Sequence, residues 1–325
     1  MDIQDHILFA HKFDGKGGGT SLTGDAVAEE AKDSALAWVH LDGDRPETRT
    51  WLEKEIAYLD PFVVQALLAD ETRPRMTQID DGVLLILRGV NLNEDATPED
   101  MVSIRLWIDK SRIISVRKRK SKAVWDIEER LKSGKGPKDA GQFVCMLTAR
   151  LFERMEPTLT ALDETTDDIE ENVLDYANTE LREAIINVRK QAIMFRRYMA
   201  PQRDAVGQLR MADLDWLNDE HKRHLQESYN HVTRYVEDLD AIRERAQIVK
   251  DELASILADR FNKNLYTLSV IAAIFLPLGF LTGLLGINVG GIPGADDPSA
   301  FWIFAGGLVA LVAVQILIFR KLKWF

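Results

Sequence analysis

Residues 265–288 read LYTLSVIAAIFLPLGFLTGLLGIN and lie within an uncharged stretch that runs from Leu265 to Ala295. A second uncharged stretch runs from Ser299 to Phe319. About 20 residues of apolar helix cross a bilayer, so both stretches predict transmembrane helices. The first stretch contains Gly286-Ile287-Asn288, and an asparagine in hydrocarbon is costly unless a pore or a partner satisfies its amide. The tripeptide therefore predicts a polar constriction at a membrane surface.

The charge balance argues against one class of partner. The chain holds 41 basic and 52 acidic residues, and three of the basic and two of the acidic residues follow residue 264, which leaves a net charge of −12 before it. Nucleic-acid-binding domains are normally basic, so we expect no nucleic-acid partner. An acidic domain next to a membrane raises the local cation concentration, although an acidic soluble protein would carry the same charge.

The sequence shows no catalytic pattern. It contains no Ser/His/Asp arrangement, phosphate loop or His-Glu-x-x-His motif, and Lys16-Gly-Gly-Gly19 lacks the Walker spacing. Cys145 is the only cysteine, which excludes an intramolecular disulfide and a thiol-rich metal site within one chain. We therefore predict that the chain is not an enzyme and binds no obligatory cofactor.

The charges that flank the two spans predict their orientation. Basic residues precede the first span and follow the second, whereas the loop between the spans carries only acids. Because basic flanks stay in the cytoplasm, both termini should be cytoplasmic, and loop 289–298 should face outward across the inner membrane. The aspartates of that loop either attract cations to a pore mouth or begin a turn. The basic residues are Arg260, Lys263, Arg320, Lys321 and Lys323, and the acids are Asp296 and Asp297.

Residues 1–137 predict a cytoplasmic α/β domain. Short β-branched or aromatic runs bounded by polar residues predict four strands, at residues 36–41, 82–87, 102–108 and 112–116. Between the first two strands, apolar side chains recur at helical intervals from Pro46 to Leu68, with an interruption at Pro61. This pattern predicts a broken helix packed on the sheet, and the fold class is α+β.

Long helices are predicted after this domain. Apolar periodicity predicts two antiparallel helices, at 139–175 and 179–199, the second of them ended by Pro201. Residues 213–286 predict a stalk helix that continues as the first span, roughly 110 Å long at about 1.5 Å per residue. The predicted parts of the chain are, in order, 1–137, 138–212, 213–264, 265–288, 289–298, 299–319 and the basic tail 320–325.

One face of the stalk and first span predicts a pore wall. At about 100° per residue, small and apolar residues of the span share a face with Asp240 and Asp251, which would form a cytoplasmic pore mouth. Such spacing is also typical of a helix-packing seam. Two spans cannot enclose a pathway, so a pore requires a ring of chains around a symmetry axis. The predicted pore-lining residues are Phe261, Leu265, Leu268, Ala272, Leu276, Gly279 and Gly283, followed by the constriction at Gly286, Ile287 and Asn288.

The constriction would offer neutral oxygen ligands. An ideal helix places Asn288 about 140° away from the pore face, but Gly286 can end the helix and redirect the backbone. A ring of amide and carbonyl oxygens suits a hydrated divalent cation and binds it weakly enough to release it.

This layout resembles the CorA metal-ion transporter family, whose members carry two C-terminal spans and a Gly-x-Asn motif between them. The resemblance covers essentially the whole chain, to the basic-aromatic end at residues 321–325, with Pro277 ten residues before Ile287. Ile287 stands where magnesium transporters of the family typically have methionine, and the following loop lacks their acidic Pro-Glu signature. These departures, together with residues 87–92 and 103–108, are similar to the ZntB branch of the family.

The resemblance implies a funnel-shaped homopentamer in membrane lipid, with a central pore for divalent cations that transports zinc by efflux or by proton-linked uptake. Zinc prefers imidazole and thiolate ligands, which the motif lacks, so the metal assignment rests on the resemblance. A magnesium or broad divalent cation channel is the alternative, and a membrane-anchored metal sensor that does not transport is a third interpretation. Neither span contains an Asp, Glu or His that would carry a proton.

Two further clusters are candidates for function. His221, His224 and His231 lie on the stalk and form either a metal site or ordinary packed and surface positions. Asp163–Glu171 places six acids in nine residues, usually the sign of a solvated face. By the resemblance, this run would face the basic end of the chain and act as a salt-sensitive electrostatic gate.

Overall fold

The structure is a computed structural model that describes residues 5–24, 26–30, 35–173, 178–287, 292, 294 and 297–321. The chain divides into two compact units, Met1–Asp251 and Glu252–Phe325. This division falls inside a helix, and the finer division into seven parts remains a prediction.

A seven-stranded mixed sheet forms the centre of the first unit. The strand order is β2-β1-β3-β7-β6-β5-β4, and every neighbouring pair is antiparallel except β3 with β7. Buried aliphatic side chains of the central strands supply the core, which explains why these strands could be recognised from their apolar runs. The strands are β1 Ile7–Phe13, β2 Gly19–Ser21, β3 Ala37–Asp42, β4 Arg75–Ile79, β5 Gly82–Gly89, β6 Val102–Ile108 and β7 Arg112–Arg117.

The four strands predicted from the sequence correspond to β3, β5, β6 and β7, and the broken helix is also confirmed. Its halves are α2, Pro46–Glu55, and α3, Pro61–Leu68. Pro61 occupies the first turn of α3, where its missing N–H costs nothing, and the Asp60 carboxylate accepts the Phe62 N–H at 2.7 Å.

A buried arginine holds the far end of α3. Arg105 of β6 is 1% exposed, and its guanidinium donates to the carbonyls of Leu67 and Asp70, each at 3.4 Å. These carbonyls lie at the end of the helix, where backbone acceptors lack intrahelical partners and the helix dipole favours a cation. Arg105 therefore fastens α3 to the sheet by capping it.

Seven further helices complete the described part of the chain. Most of those in the first unit pack on the sheet or on one another. They are α1 Ala26–Glu30, α4 Lys122–Lys132, α5 Ala140–Glu153, α6 Glu156–Asn172, α7 Thr179–Met211, α8 Asp219–Leu285 and α9 Ala300–Lys321.

Two helix limits predicted from the sequence are wrong. The segment expected as one helix at 139–175 is two helices, because α5 ends at Glu153 and Pro157 lies in the first turn of α6. The second helix does not end at Pro201, since α7 continues through it to Met211. Buried contacts hold the helix together after the proline: Gln202 is 1% exposed, and its side-chain oxygen accepts the Arg88 N–H of β5 at 2.5 Å.

The predicted continuous stalk and first span are confirmed as α8. This single helix of 67 residues contains Pro277 in its interior and ends at Leu285, directly before Gly286.

Candidate ion pathway

Two helices, α8 and α9, are long and apolar enough to cross a membrane by length and composition. In the most apolar window of each, only 6% and 0% of the residues are buried within the chain. Large apolar side chains such as Leu276 and Trp302 are 72% and 73% exposed. Exposing so much apolar surface to water is unfavourable, so lipid or another protein chain must cover it.

Within the second unit, one face of α8 packs on α9 and the opposite face is open. The less exposed residues of α8 are Val270, Ala273, Ile274, Pro277, Leu278 and Leu281, which share a face at about 100° per residue. The predicted pore stripe lies roughly 170° from that face. Its members Phe261, Leu268 and Leu276 are 62%, 62% and 72% exposed, and a Cβ at Gly279 or Gly283 would meet no atom within 4 Å.

A side-chain hydrogen bond between the two spans satisfies a backbone carbonyl that Pro277 leaves without its helical donor. Pro277 has no N–H, so it cannot donate to the carbonyl of Ala273 four residues earlier. Gln315 of α9 supplies the missing donor, with its Nε2 3.2 Å from that carbonyl oxygen. In hydrocarbon such a carbonyl would otherwise have no partner. Gln315 thus satisfies the carbonyl that the proline leaves without a donor and links the two spans at this level.

The structure describes two of the three residues of the predicted constriction. The Gly286 N–H donates to the Thr282 carbonyl at 2.9 Å, and a Cβ at Gly286 would lie only 2.7 Å from that oxygen. A side chain at this position would therefore force the helix end to move. Ile287 is 49% exposed, and Asn288 lies outside the described residues.

The outer-loop aspartates are described in part. Asp297 accepts hydrogen bonds from the Ser299 N–H at 2.8 Å and the Ser299 hydroxyl at 2.7 Å, directly before α9. These bonds hold the pKa of Asp297 below its usual value, and they favour the turn interpretation for this residue. Asp296 lies outside the described residues.

The two carboxylates predicted at the cytoplasmic mouth both have partners in the first unit. Asp240 forms ion pairs with Arg196 of α7 at 2.5 Å and with Arg243 at 3.3 Å. Asp251 accepts a hydrogen bond from Gln247 at 2.7 Å, which lowers its pKa, and lies 3.3 Å from the Lys250 ammonium. Their role at a pore mouth therefore stays a prediction.

The acidic run of α6 binds an arginine that the sequence analysis did not single out. Arg245 of α8 donates to Asp163 and Glu170 at 3.0 Å each, and also contacts Asp167. The hydrogen bonds that Arg245 donates to Glu170 and then to Asp167 raise the pKa of its guanidinium above the usual value. The run is therefore partly neutralised within the first unit. Of its expected basic partners, Lys323 lies outside the described residues.

The three stalk histidines line one cavity of about 480 Å³ between α5 and α8. His221 is 7% exposed, with its Nε2 3.4 Å from an Asp139 carboxylate oxygen, and it packs on Gly141, where a Cβ would lie 2.1 Å from Nδ1. Across the described ranges, no three His, Cys, Asp or Glu side chains are grouped so that they could hold a metal ion. Cys145 is buried, as expected for a small hydrophobe.

A helix pair of this kind, joined at a Gly-x-Asn motif and preceded by a mixed α/β unit and a long stalk, defines a class of membrane transport protein. The chain matches the family described as CorA-like Mg2+ transporter protein over residues 33–321, and it belongs to that family.

Individual relatives match over nearly the whole chain. The chain is 38% identical to the divalent cation transporter CmaX of Pseudomonas aeruginosa over 98% of this chain and 96% of that protein. It is also 38% identical to the zinc transport protein ZntB of Yersinia enterocolitica over 100% and 97%. A solved structure of full-length CmaX superposes with a TM-score of 0.84 at 37% identity, covering 98% of each chain. A ZntB cytoplasmic domain from Vibrio parahaemolyticus gives 0.69 at 27% identity, covering 78% of this chain and 99% of that one.

Proposed function

We propose that the protein transports Zn2+ across the inner membrane through a central pore of a homopentamer. The open face of α8, opposite its contact with α9, is the observation that carries the proposal. Phe261, Leu268 and Leu276 of that face are more than 60% exposed, and a Cβ at Gly283 would meet no atom within 4 Å. Gly279 lies at the edge of the face, beside a groove that Leu308, Val309 and Val312 of α9 also line. Five copies around an axis would cover it and leave a path along the centre.

The metal and the orientation rest on the relatives. A zinc transport protein is 38% identical over its near-complete length, which supports zinc as the transported ion. A relative's cytoplasmic domain matches 78% of this chain, which supports a cytoplasmic first unit with both termini inside. The constriction at residues 286–288 then lies at the outer surface, and its neutral oxygens release a partly hydrated ion readily.

A broader selectivity is the second candidate function. The motif supplies oxygen but neither imidazole nor thiolate, and oxygen ligands suit Mg2+ as well as Zn2+. CmaX, at 38% identity, is a divalent cation transporter by name. A channel for several divalent cations therefore follows from the same geometry.

Transport by the purified protein in liposomes tests the proposal. A zinc-sensitive dye inside the vesicles should report zinc entry, and Asn288→Ala should reduce it. Asn264→Ala is the matched control, because it removes the same side chain from α8 away from the motif. The proposal fails if the wild-type protein moves no zinc, or if both variants reduce entry equally. Repeating the assay with Mg2+ and with imposed pH gradients determines selectivity and proton coupling.

A further inference from the structure

One face of α7 carries a high density of positive charge. Residues 182–197 contain five basic residues and one acid, in a chain whose net charge is −11. Basic and apolar side chains share this face at about 100° per residue, and all of them are exposed, on the side of the helix away from its buried residues. The members of this basic face are Arg182, Ile186, Lys190, Ile193 and Arg197.

The basic face is open for binding. Among the residues that the structure describes, the side chains of Arg182 and Lys190 have neither a hydrogen-bond nor an ion-pair partner. The Arg197 guanidinium lies over a tyrosine ring, 5.8 Å from its centre, rather than beside a carboxylate. Ile186 and Ile193 are 43% and 39% exposed. Such a face suits a partner that offers carboxylates beside small side chains.

The chain itself carries a matching acidic surface on α6. This helix has seven acids and no basic residue. Three of the acids bind Arg245, whereas Glu164, Asp168 and Glu171 lie at helical intervals on a separate, exposed face. The side chains of these three residues, which we call the acidic face, have no partner within the described part of the chain. Ala161, one turn before Glu164, is small and also exposed, so another helix can approach closely there.

The two faces do not meet within one chain, because both remain exposed although α6 and α7 pack on each other. We propose that the basic face of α7 binds the acidic face of α6 in a second copy of this chain. A contact between two different faces is heterologous, and under rotation it repeats until a ring closes. The inference rests on the ring proposed above, and it names contacts that join the first units of neighbouring copies.

The packing of α6 on α7 within one chain sets the register between copies. The end of α6 and the start of α7 are only a few residues apart, and a groove between the helices brings Gln191 and Phe195 beside Ala161 and Thr165. The helices are therefore antiparallel, with residues near 193 of α7 level with residues near 162 of α6. Rotation about an axis that runs along the helices keeps every residue at its level.

This register brings opposite charges together. The two cations of the α7 half nearest the connection are eight residues apart, about 12 Å along the helix, and the outer acids of α6 are seven residues apart, about 10.5 Å. Between copies, an isoleucine of α7 then covers the small residue of α6. The predicted pairs are Lys190 with Glu164, Arg182 with Glu171, and Ile193 with Ala161.

Disulfide cross-linking of the full-length protein in lipid nanodiscs tests the contact. Ile193→Cys together with Ala161→Cys should give products larger than one chain on a non-reducing gel, which only contact between copies can produce. The native Cys145 is buried and stays out of the reaction. Met211→Cys with Ala161→Cys is the matched control: residue 211 is exposed on the same helix but about 27 Å further along, so it should not cross-link.

Charge reversal tests the chemistry of the contact. In the cross-linking pair, Arg182→Glu with Lys190→Glu should lower the rate of cross-linking by roughly 5–30-fold, because two attractive pairs become repulsive. Adding Glu164→Lys and Glu171→Lys should restore the rate, a rescue that misfolding would not allow. High ionic strength should lower the rate in the protein with native charges.

Particle mass and zinc entry, measured on the same proteins, separate this inference from the proposed function. A ring that admits zinc but gives no cross-link at 193 and 161 would overturn the contact alone, and cross-linked copies that admit no zinc would overturn transport alone. Equal rates before and after charge reversal, no rescue, or equal cross-linking of the Met211 control would also overturn the contact. If the basic face met anionic headgroups instead, cross-linking would be absent, and maleimide labelling of Lys190→Cys would fall as anionic lipid was added.

Discussion

The hydrogen bond from Gln315 to the Ala273 carbonyl leads to a quantitative prediction for the membrane unit. Gln315→Leu removes the donor and leaves that carbonyl without a partner, because Pro277 cannot supply an N–H. Interhelical hydrogen bonds in membranes contribute about 0.6 kcal/mol on average and up to roughly 1.7. The observed 3.2 Å is at the long end of the normal range, but the carbonyl has lost its intrahelical donor.

We therefore expect Gln315→Leu to lower the free energy of unfolding by about 1 kcal/mol. A larger value is not expected, because the Gln315 side-chain oxygen is itself buried without a hydrogen-bond partner among the described residues, and leucine removes that penalty. Val314→Leu, at a position that is 50% exposed on the same helix, is the matched control and should change stability little.

A double-mutant cycle makes the reasoning refutable. Pro277→Ala restores the N–H that donates to Ala273, so Gln315→Leu should then cost close to nothing. The coupling energy of the cycle should equal the roughly 1 kcal/mol lost in the proline background. Titration with a denaturing detergent, followed by far-UV circular dichroism, measures the free energy of unfolding of each of the four proteins in the cycle. An equal cost of Gln315→Leu with and without Pro277 would show that the bond does not compensate for the proline.

Three further outcomes are expected. Arg245→Gln should lower the unfolding free energy of the protein by about 1 kcal/mol at low ionic strength and by less at high salt. Denaturant titrations at two salt concentrations measure this difference. A loss of stability that does not depend on salt would contradict the prediction. Burial lowers the pKa of His40 to about 3, so the folded chain binds fewer protons than the unfolded chain between pH 3 and 6.5. Stability should fall on acidification through that window by up to about 1.4 kcal/mol per pH unit, and His40→Gln should flatten the measured profile. Gly286→Ala should reduce zinc entry into liposomes, whereas Gly307→Ala, where a Cβ meets no atom within 4 Å, should leave it unchanged.

The parts of the fold that the sequence predicted correctly are those whose apolar pattern is local. Strands such as β6 are buried on both faces and read as continuous apolar runs. The sheet edges were missed for the opposite reason: β4 reads RMTQI and none of its residues is buried, while β2 has three residues. In β1 the buried His11, which contacts Glu128, interrupts the apolar pattern.

The contacts that could not be predicted join residues far apart in the chain. Pro201 was expected to end a helix, but packing on the sheet overrides the local effect of the proline. Arg245 meets the acidic run of α6 from a distance of about 80 residues, which no periodicity reveals. The contact of Gln315 differs, because the sequence offers a reason to expect it. Gln315 is the only amide side chain in the second span, and the first span contains a proline that leaves a carbonyl without a donor.

The open stripe of α8 was predictable because a helix repeats at a fixed angle, and the structure places the α9 contact on the other side. Its assignment as a pore wall remains a prediction. The same holds for Asn288, the remaining residue of the tripeptide, and for the aspartates of the outer loop.

The single thiol has a practical consequence for work on this chain. Cys145 is 6% exposed, its Sγ–H lies 3.4 Å from the His221 carbonyl, and a pKa of about 12 keeps it out of the thiolate form at neutral pH. Maleimides and methanethiosulfonates should therefore not react with Cys145 in the folded protein. A reporter cysteine can be introduced anywhere on the surface, including the outer loop, without first deleting the natural one, and its labelling from either side of a vesicle would read out topology directly.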